Sequence, residues 1–174
     1  MLDNFSAALA GLPQTPPARQ QALEAFLKFG LPSTELEDWK YTDLSSLASL
    51  TATALQPQPD WIESPSGDYE DGLDALNAAF SGGERRQVIS GLKVFDCGHH
   101  QRLKLKVSTA AELRLTDDTR AGFSTFFADI EIAPGAKLKL VRLQNAAADA
   151  QRVSRVRVRL QRDARLEADT VDLG

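Results

Sequence analysis

The sequence predicts a mainly β protein with an N-terminal α-helical lobe, the β part being wound as a β-helix. Three observations point there. Apolar residues recur at helical spacing in the first half of the chain and alternate with charged residues in the second. One apolar template returns three times in the second half, at offsets of 25 and 28 residues. Charge is also split: residues 1–90 hold 5 Lys/Arg and 13 Asp/Glu, and residues 91–174 hold 15 and 11. Such asymmetry marks a change of architecture or of partner. The expected division is a helical lobe and linker over 1–90, then the β core over 91–174.

The helical half is justified element by element. A short helix is expected from Asp3 to Leu9. Thr15-Pro16-Pro17 places a capping hydroxyl before prolines at the first helical positions, and Ala22, Leu23, Phe26 and Leu27 then form one stripe. Gly30 stops that helix and Pro32 reinforces the stop. Thr34 to Glu37 has capping-box spacing and announces a second start. Gln56–Gly72, with Pro57, Pro59, Pro65 and Gly67, reads as a loop or linker. Gly72 to Phe80 forms a further helix, closed by Gly82-Gly83.

Period two then takes over. Leu103, Leu105 and Val107 alternate with Lys104 and Lys106; Ile130 and Ile132 flank Glu131; Leu138 and Leu140 flank Lys139; Val156, Val158 and Leu160 alternate with Arg155, Arg157 and Arg159. Each run is a strand with one buried and one wet face. The repeated template is Leu105, Val107, Ala111, Leu113, Leu115; then Ile130, Ile132, Ala136, Leu138, Leu140; then Val158, Leu160, Ala164, Leu166, Ala168. In each copy two short strands meet at a tight corner followed by a small Ala, and Ala133-Pro134-Gly135 has turn chemistry. Inward residues stacked rung on rung suit a β-helix, with Thr116–Asp129 and Val141–Arg157 as the variable parts. The competing reading is an antiparallel sandwich with look-alike hairpins.

Composition narrows function. Aromatics make up 7% of 174 residues, too few for a single-strand nucleic-acid stacking platform. One Cys and two His exclude an intrachain disulfide and a four-Cys cluster site, and make no four-ligand zinc site without carboxylates. No apolar run approaches the ~20 residues that span a bilayer, and Met1-Leu2-Asp3-Asn4-Phe5 lacks the features of a secretory leader. A soluble, cytoplasmic protein is expected.

Three constellations could carry chemistry. Cys97-Gly98-His99-His100 is the one metal-like cluster, yet no fourth ligand is evident and adjacent His residues on a strand point apart. A polar turn before the next strand is the simpler reading. Glu37, Asp38 and Lys40 invite an acid/base reading, but the simpler one is that Trp39 and Tyr41 anchor the lobe while the charges face water. Arg155, Arg157 and Arg159 share one strand face, first a solvated face and next a protein-contact face, because Arg is enriched at interfaces.

Gly30-Leu31-Pro32 followed by Glu37-Asp38-Trp39-Lys40-Tyr41-Thr42 resembles the helical N-terminal segment of the SufD family. Ala75-Leu76-Asn77-Ala78-Ala79-Phe80 is similar to that family's Leu-Asn-small-Ala-Phe segment, and Ile130–Gln144 to its first regular coils. The resemblance implies a single-stranded right-handed β-helix of the SufB/SufD kind. It also implies a non-catalytic scaffold subunit of the SufB–SufC–SufD assembly that builds iron–sulfur clusters. A SufB-like homologue and a SufC-like ATPase would be its partners, with no cofactor in this chain. Residues Glu37 to Thr42 would be structural. Two departures stand out. Trp61 to Asp71 lacks the family's Val-Asp-Gly-Arg-like run. The resemblance also implies that the chain stops part-way through the β-helix, before the family's functional Cys and His positions and its SufC-docking surface. An open end of that kind is expected to self-associate or to fray beyond about Arg152. The alternative function is a small cupin-like metal-binding barrel using Cys97, His99 and His100.

Overall fold

A computed structural model describes residues 3–13, 15–62, 67–117, 122–145, 147 and 149–172. The chain divides into two compact units, Met1–Glu84 and Arg85–Gly174. Residues 85–90, grouped with the helical lobe on charge, lie in the first strand of the second unit.

The first unit holds helices α1 (Asp3–Ala10), α2 (Pro17–Phe29), α3 (Ala52–Leu55) and α4 (Gly72–Phe80). Phe5 of α1 sets its ring edge-on to Phe26 of α2 and Phe80 of α4, at centroid separations of 5.0 and 6.1 Å. The buried stripe of α2 is Arg19, Ala22 and Phe26, and Leu27, expected in it, faces outward. Arg19 takes the inner position because its guanidinium bonds to loop carbonyls: Nη2 donates to Gln58 O at 2.9 Å and Asp60 O at 3.0 Å, and the group lies over the Trp61 ring. Pro16 stands at the N-cap of α2, and the Thr15 hydroxyl makes no cap bond.

The second helix start expected at Thr34 is corrected: Glu37–Trp39 makes only a 3-10 turn, with Leu36 at its N-cap and no side-chain cap. The Ser33 hydroxyl, not Thr34, accepts a backbone bond there, from Glu35 N–H at 3.3 Å. A second 3-10 turn, Ser45–Ser49, and α3 carry the chain onward. The proline-rich stretch is a loop in its described part, and Pro65 lies outside the described residues. Gln58 N–H and Ile62 N–H tie that loop to the Phe80 and Gly82 carbonyls.

Helix α4 starts where Asp71 caps it, its Oδ1 accepting from Asp74 N–H at 2.7 Å. Gly30 closes α2 at φ 73° and turns its carbonyl toward Gly72, at the first turn of α4. No side chain fits between them.

Among the described residues the second unit is a curled sheet of six strands: β1 (Arg85–Asp96), β2 (Gln101–Asp117), β3 (Gly122–Ile132), β4 (Lys137–Gln144), β5 (Ala150–Leu160) and β6 (Arg165–Asp172). Every pairing among the described residues is parallel, which overturns the antiparallel-sandwich alternative. β2 is long enough to serve two partners. Gln101–Val107 pairs with β3 and Ala110–Asp117 with β4. β5 then lies on β3 and β6 on β4. Two arms thus meet along a line of corners, and bonds run across these corners, from Ala133 N–H to Val107 O and from Gln161 N–H to Ile132 O. Gly135, at φ 71°, makes the left-handed bend of the corner between β3 and β4.

Inward columns fill the curl. Ile89, Val107, Ile132 and Leu160 stack in register, as do Leu105, Ile130 and Val158. The repeat is right in the first arm, where Leu105 pairs with Ile130. In the second arm it needs a correction: Ala111 pairs with Leu138 and Leu113 with Leu140, because the Pro-Gly corner is longer than the corner at Ser108-Thr109. The offset of 28 holds in both arms between the second and third copies, with Ile130 on Val158 and Leu138 on Leu166. β1 stands outside the repeat because it carries its apolar residues outward: Val88, Leu92 and Val94 are exposed and only Ile89 is fully buried. Among the described residues, no helix is long and apolar enough to cross a membrane, which does not bear on β-barrels.

Gly72→Ala is expected to destabilise the chain by at least about 2–3 kcal/mol, because the added methyl runs into the Gly30 carbonyl. Urea unfolding of the variant against wild type measures this, and Gly67→Ala, where the added carbon meets open space, is the matched control.

Candidate functional site

The outward side of the first arm carries the predicted Arg residues. Arg155, Arg157 and Arg159 are two apart on β5 and therefore share a face. In register they sit beside Phe127, Asp129 and Glu131 of β3, which in turn sit beside Arg102, Lys104 and Lys106 of β2. Two columns of alternating sign result: Lys104–Asp129–Arg157 and Lys106–Glu131–Arg159. Opposite charges on neighbouring strands contribute about 0.2–1 kcal/mol each. A shallow groove of about 360 Å³ runs over these columns and reaches Arg86 and Val88 of β1. Five cations and two carboxylates line it, so the groove is basic.

Arg155 differs from its neighbours. Its guanidinium stacks 4.2 Å from the centroid of the Phe127 ring, and Phe127 is buried although it lies on the outward side. Planar stacking of this kind is a structural engagement. Of the three predicted residues, Arg157 and Arg159 thus present charge in the groove, and Arg155 covers an aromatic ring.

The Glu37–Thr42 run divides as well. Trp39 is half-buried, and its Nε1 donates to Asp71 Oδ2 at 3.2 Å, so it ties this run to the cap of α4. Tyr41 is 92% exposed and anchors nothing, which corrects the expectation; Lys40 Nζ lies over its ring. Glu37 and Thr42 are exposed, and the side chain of Asp38 lies outside the described part.

The turn after β1 separates its polar residues. His99 is exposed and His100 is buried. His100 Nδ1 accepts from Thr125 N–H at 3.2 Å and lies 2.9 Å from Thr125 Oγ1, so Nδ1 keeps its lone pair and the ring proton sits on Nε2. Its ring stands edge-on to Phe123. Cys97 is buried, with Sγ donating to Phe95 O at 3.7 Å. Among the described residues no three His, Cys, Asp or Glu side chains gather where they could hold one metal ion.

Around Cys97 lies a polar cluster that no local motif announces. Arg152 of β5 forms an ion pair with Asp117 at the end of β2, and Arg142 of β4 donates to Ser154 Oγ at 2.9 Å. Burial raises the Cys97 thiol to about 11, although Arg152 beside it pulls the other way. A thiol held protonated at neutral pH is a weak nucleophile. The cluster has no sequence signal because Cys97, Asp117, Arg142 and Arg152 belong to successive passes of the chain and meet only through the register.

No family model, curated protein or solved structure matches the chain.

The buried thiol gives stability an alkaline dependence. The folded state holds the Cys97 proton more tightly than the unfolded chain, where the value is 9.0. This contribution is therefore complete below pH 9.0 and lost as the pH rises through about 11. Over that window wild type is expected to lose about 2–3 kcal/mol more unfolding free energy than Cys97→Ala. Denaturant titrations at both pH values check it, and equal losses would sink it.

Proposed function

We propose that the chain is a non-catalytic scaffold subunit of an iron–sulfur cluster assembly complex of the SUF (SufBCD) kind. In this reading its curled sheet forms the first coils of a single-stranded right-handed β-helix. The observation that carries the reading is the all-parallel register, in which each pass of the chain lies on the one before. Closely spaced parallel passes with small-residue corners suit a coil built for length and surface, rather than a pocket built for turnover.

A second observation supports it. The two helical segments that resemble SufD touch: Trp39 of the Trp-Lys-Tyr-Thr run bonds to Asp71, the cap of the Leu-Asn-Ala-Ala-Phe helix. In this reading Glu37 to Thr42 is a structural motif, and the scaffold works in the cytoplasm. A SufB-like homologue pairs with the β part, and a SufC-like ATPase supplies hydrolysis. In this reading the cluster ligands are supplied elsewhere in the assembly, and Cys97 is a buried structural residue. The cupin-like alternative is disfavoured by the same register, because cupins are built from antiparallel strands, and by the separation of His99 from His100.

Co-expression of the natural gene product with SufB-like and SufC-like proteins tests the proposal. The expected outcome is a stable complex containing all three on size exclusion. Failure to associate with the SufB-like protein, or a stoichiometric transition metal bound to this chain alone, would overturn it.

A further inference from the structure

Trp39 is fastened to Asp71, but the segment around it holds its other large side chains out in water. Leu36 is 49% exposed and Tyr41 92%, with Lys40 Nζ lying over the Tyr41 ring. That segment joins the two walls of a groove of about 830 Å³ in the first unit. One wall is the chain leaving α2, residues 30–34; the other runs from Thr42 into the Ser45–Ser49 turn. Pro32 and Leu44 are buried and Leu31 and Ala48 half-buried, so its base is apolar. Ser and Thr hydroxyls and the exposed Asp43 form its rim.

Charge selects the occupant. Residues 1–84 hold 13 Asp/Glu against 3 Lys/Arg, one of them the buried Arg19. Among the described residues no cation lines the groove, and Glu35 and Glu37 are exposed on the joining segment. Asp43 Oδ1 accepts from Ser45 N–H at 2.9 Å, which holds the carboxyl below its usual range and charged at neutral pH. A basic segment is therefore attracted and an acidic one repelled. Backbone form is selected too. The walls are loop and turn, with no strand edge to pair an extended chain, whereas a helix satisfies its own backbone and needs only an apolar bed.

We propose that this groove docks a short basic amphipathic helix of a partner protein. Its aliphatic stripe lies on the Pro32 and Leu44 base and against Tyr41, and its Lys or Arg flanks face Asp43, Glu35 and Glu37. Tyr41 is the anchor of the contact, as a Tyr at the margin of an apolar pocket commonly is. The exposure that leaves it without a role in the fold gives it one in the interface. This inference goes beyond the SUF reading and stands or falls separately from it.

The test uses the whole chain and two fluorescein-labelled, end-capped peptides of about 14 residues, with Leu at helical spacing on an Ala background. One carries Lys on the polar face and the other Glu. Fluorescence anisotropy at low salt is expected to show the Lys peptide bound about ten-fold more tightly or better, with the gap closing as salt is raised. Tyr41→Ser is expected to weaken that binding about ten-fold at an unchanged urea midpoint. Asp43→Asn keeps an acceptor for Ser45 N–H and is expected to weaken it about three-fold. Ala48→Phe fills the groove and is expected to abolish binding; if that variant fails to fold, the other two decide. Equal affinities for the two peptides, no binding of the Lys peptide, or binding unchanged by either Tyr41→Ser or Asp43→Asn would overturn the proposal. So would self-association of the wild-type chain that Tyr41→Ser abolishes in sedimentation velocity, which would give the groove to a second copy.

Discussion

The parallel register of β2 is the constraint on which the second unit depends. One strand of 17 residues supplies a pairing edge to β3 with its first part and to β4 with its second. Every later strand inherits its position from that division. β5 and β6 follow β3 and β4 residue for residue, so inward and outward faces are fixed once β2 has chosen them. A slip of one residue anywhere would exchange the two faces and bury the Lys and Arg of the outward columns.

The faces chosen in this way do different work. Inward, Leu, Ile and Val stack without polar interruption along the middle of the curl. Outward, Asp129 and Glu131 lie between cations of β2 and β5 and support the same register, although Arg86 faces Lys104 and Lys137 faces Arg165. Consistency between patterning and electrostatics of this kind singles out one arrangement from its neighbours. At the strand ends, where the hydrocarbon gives way, polar pairs take over: Arg152 with Asp117 and His100 with Thr125 close off the interior near Cys97.

Much of this architecture is legible in the residues alone. Period-two runs at 103–107, 130–132, 138–140 and 156–160 lie in strands, and the helix over Gly72–Phe80 stands where its glycines placed it. Local signals mislead where distant contacts compete with them. Thr34 and Glu37 have capping-box spacing, but the chain bends after a 3-10 turn so that Trp39 reaches Asp71. Arg19 has the character of a surface residue because nothing local announces the carbonyls of Gln58 and Asp60. β1 lacks the alternating signal because an edge strand is free to wear apolar residues on its outer side. Of the candidate site, Arg157 and Arg159 are legible from alternation. That Arg155 covers Phe127, and that Arg152 meets Asp117 beside Cys97, depends on pairings between strands and has no sequence signature.

The division of β2 between two partners has a thermodynamic corollary. Among the described residues the main strand contacts in this unit run from each pass to the next, β1 with β2, β2 with β3 and β4, then β3 with β5 and β4 with β6. The stack is therefore nearly one-dimensional, its free energy a sum of terms for each pass and each interface. β2, clasped on both sides, sits at the most cooperative point. Among the described strands β6, exposed along its whole length, contributes one interface, to β4. Melting in such a stack proceeds from the ends inward.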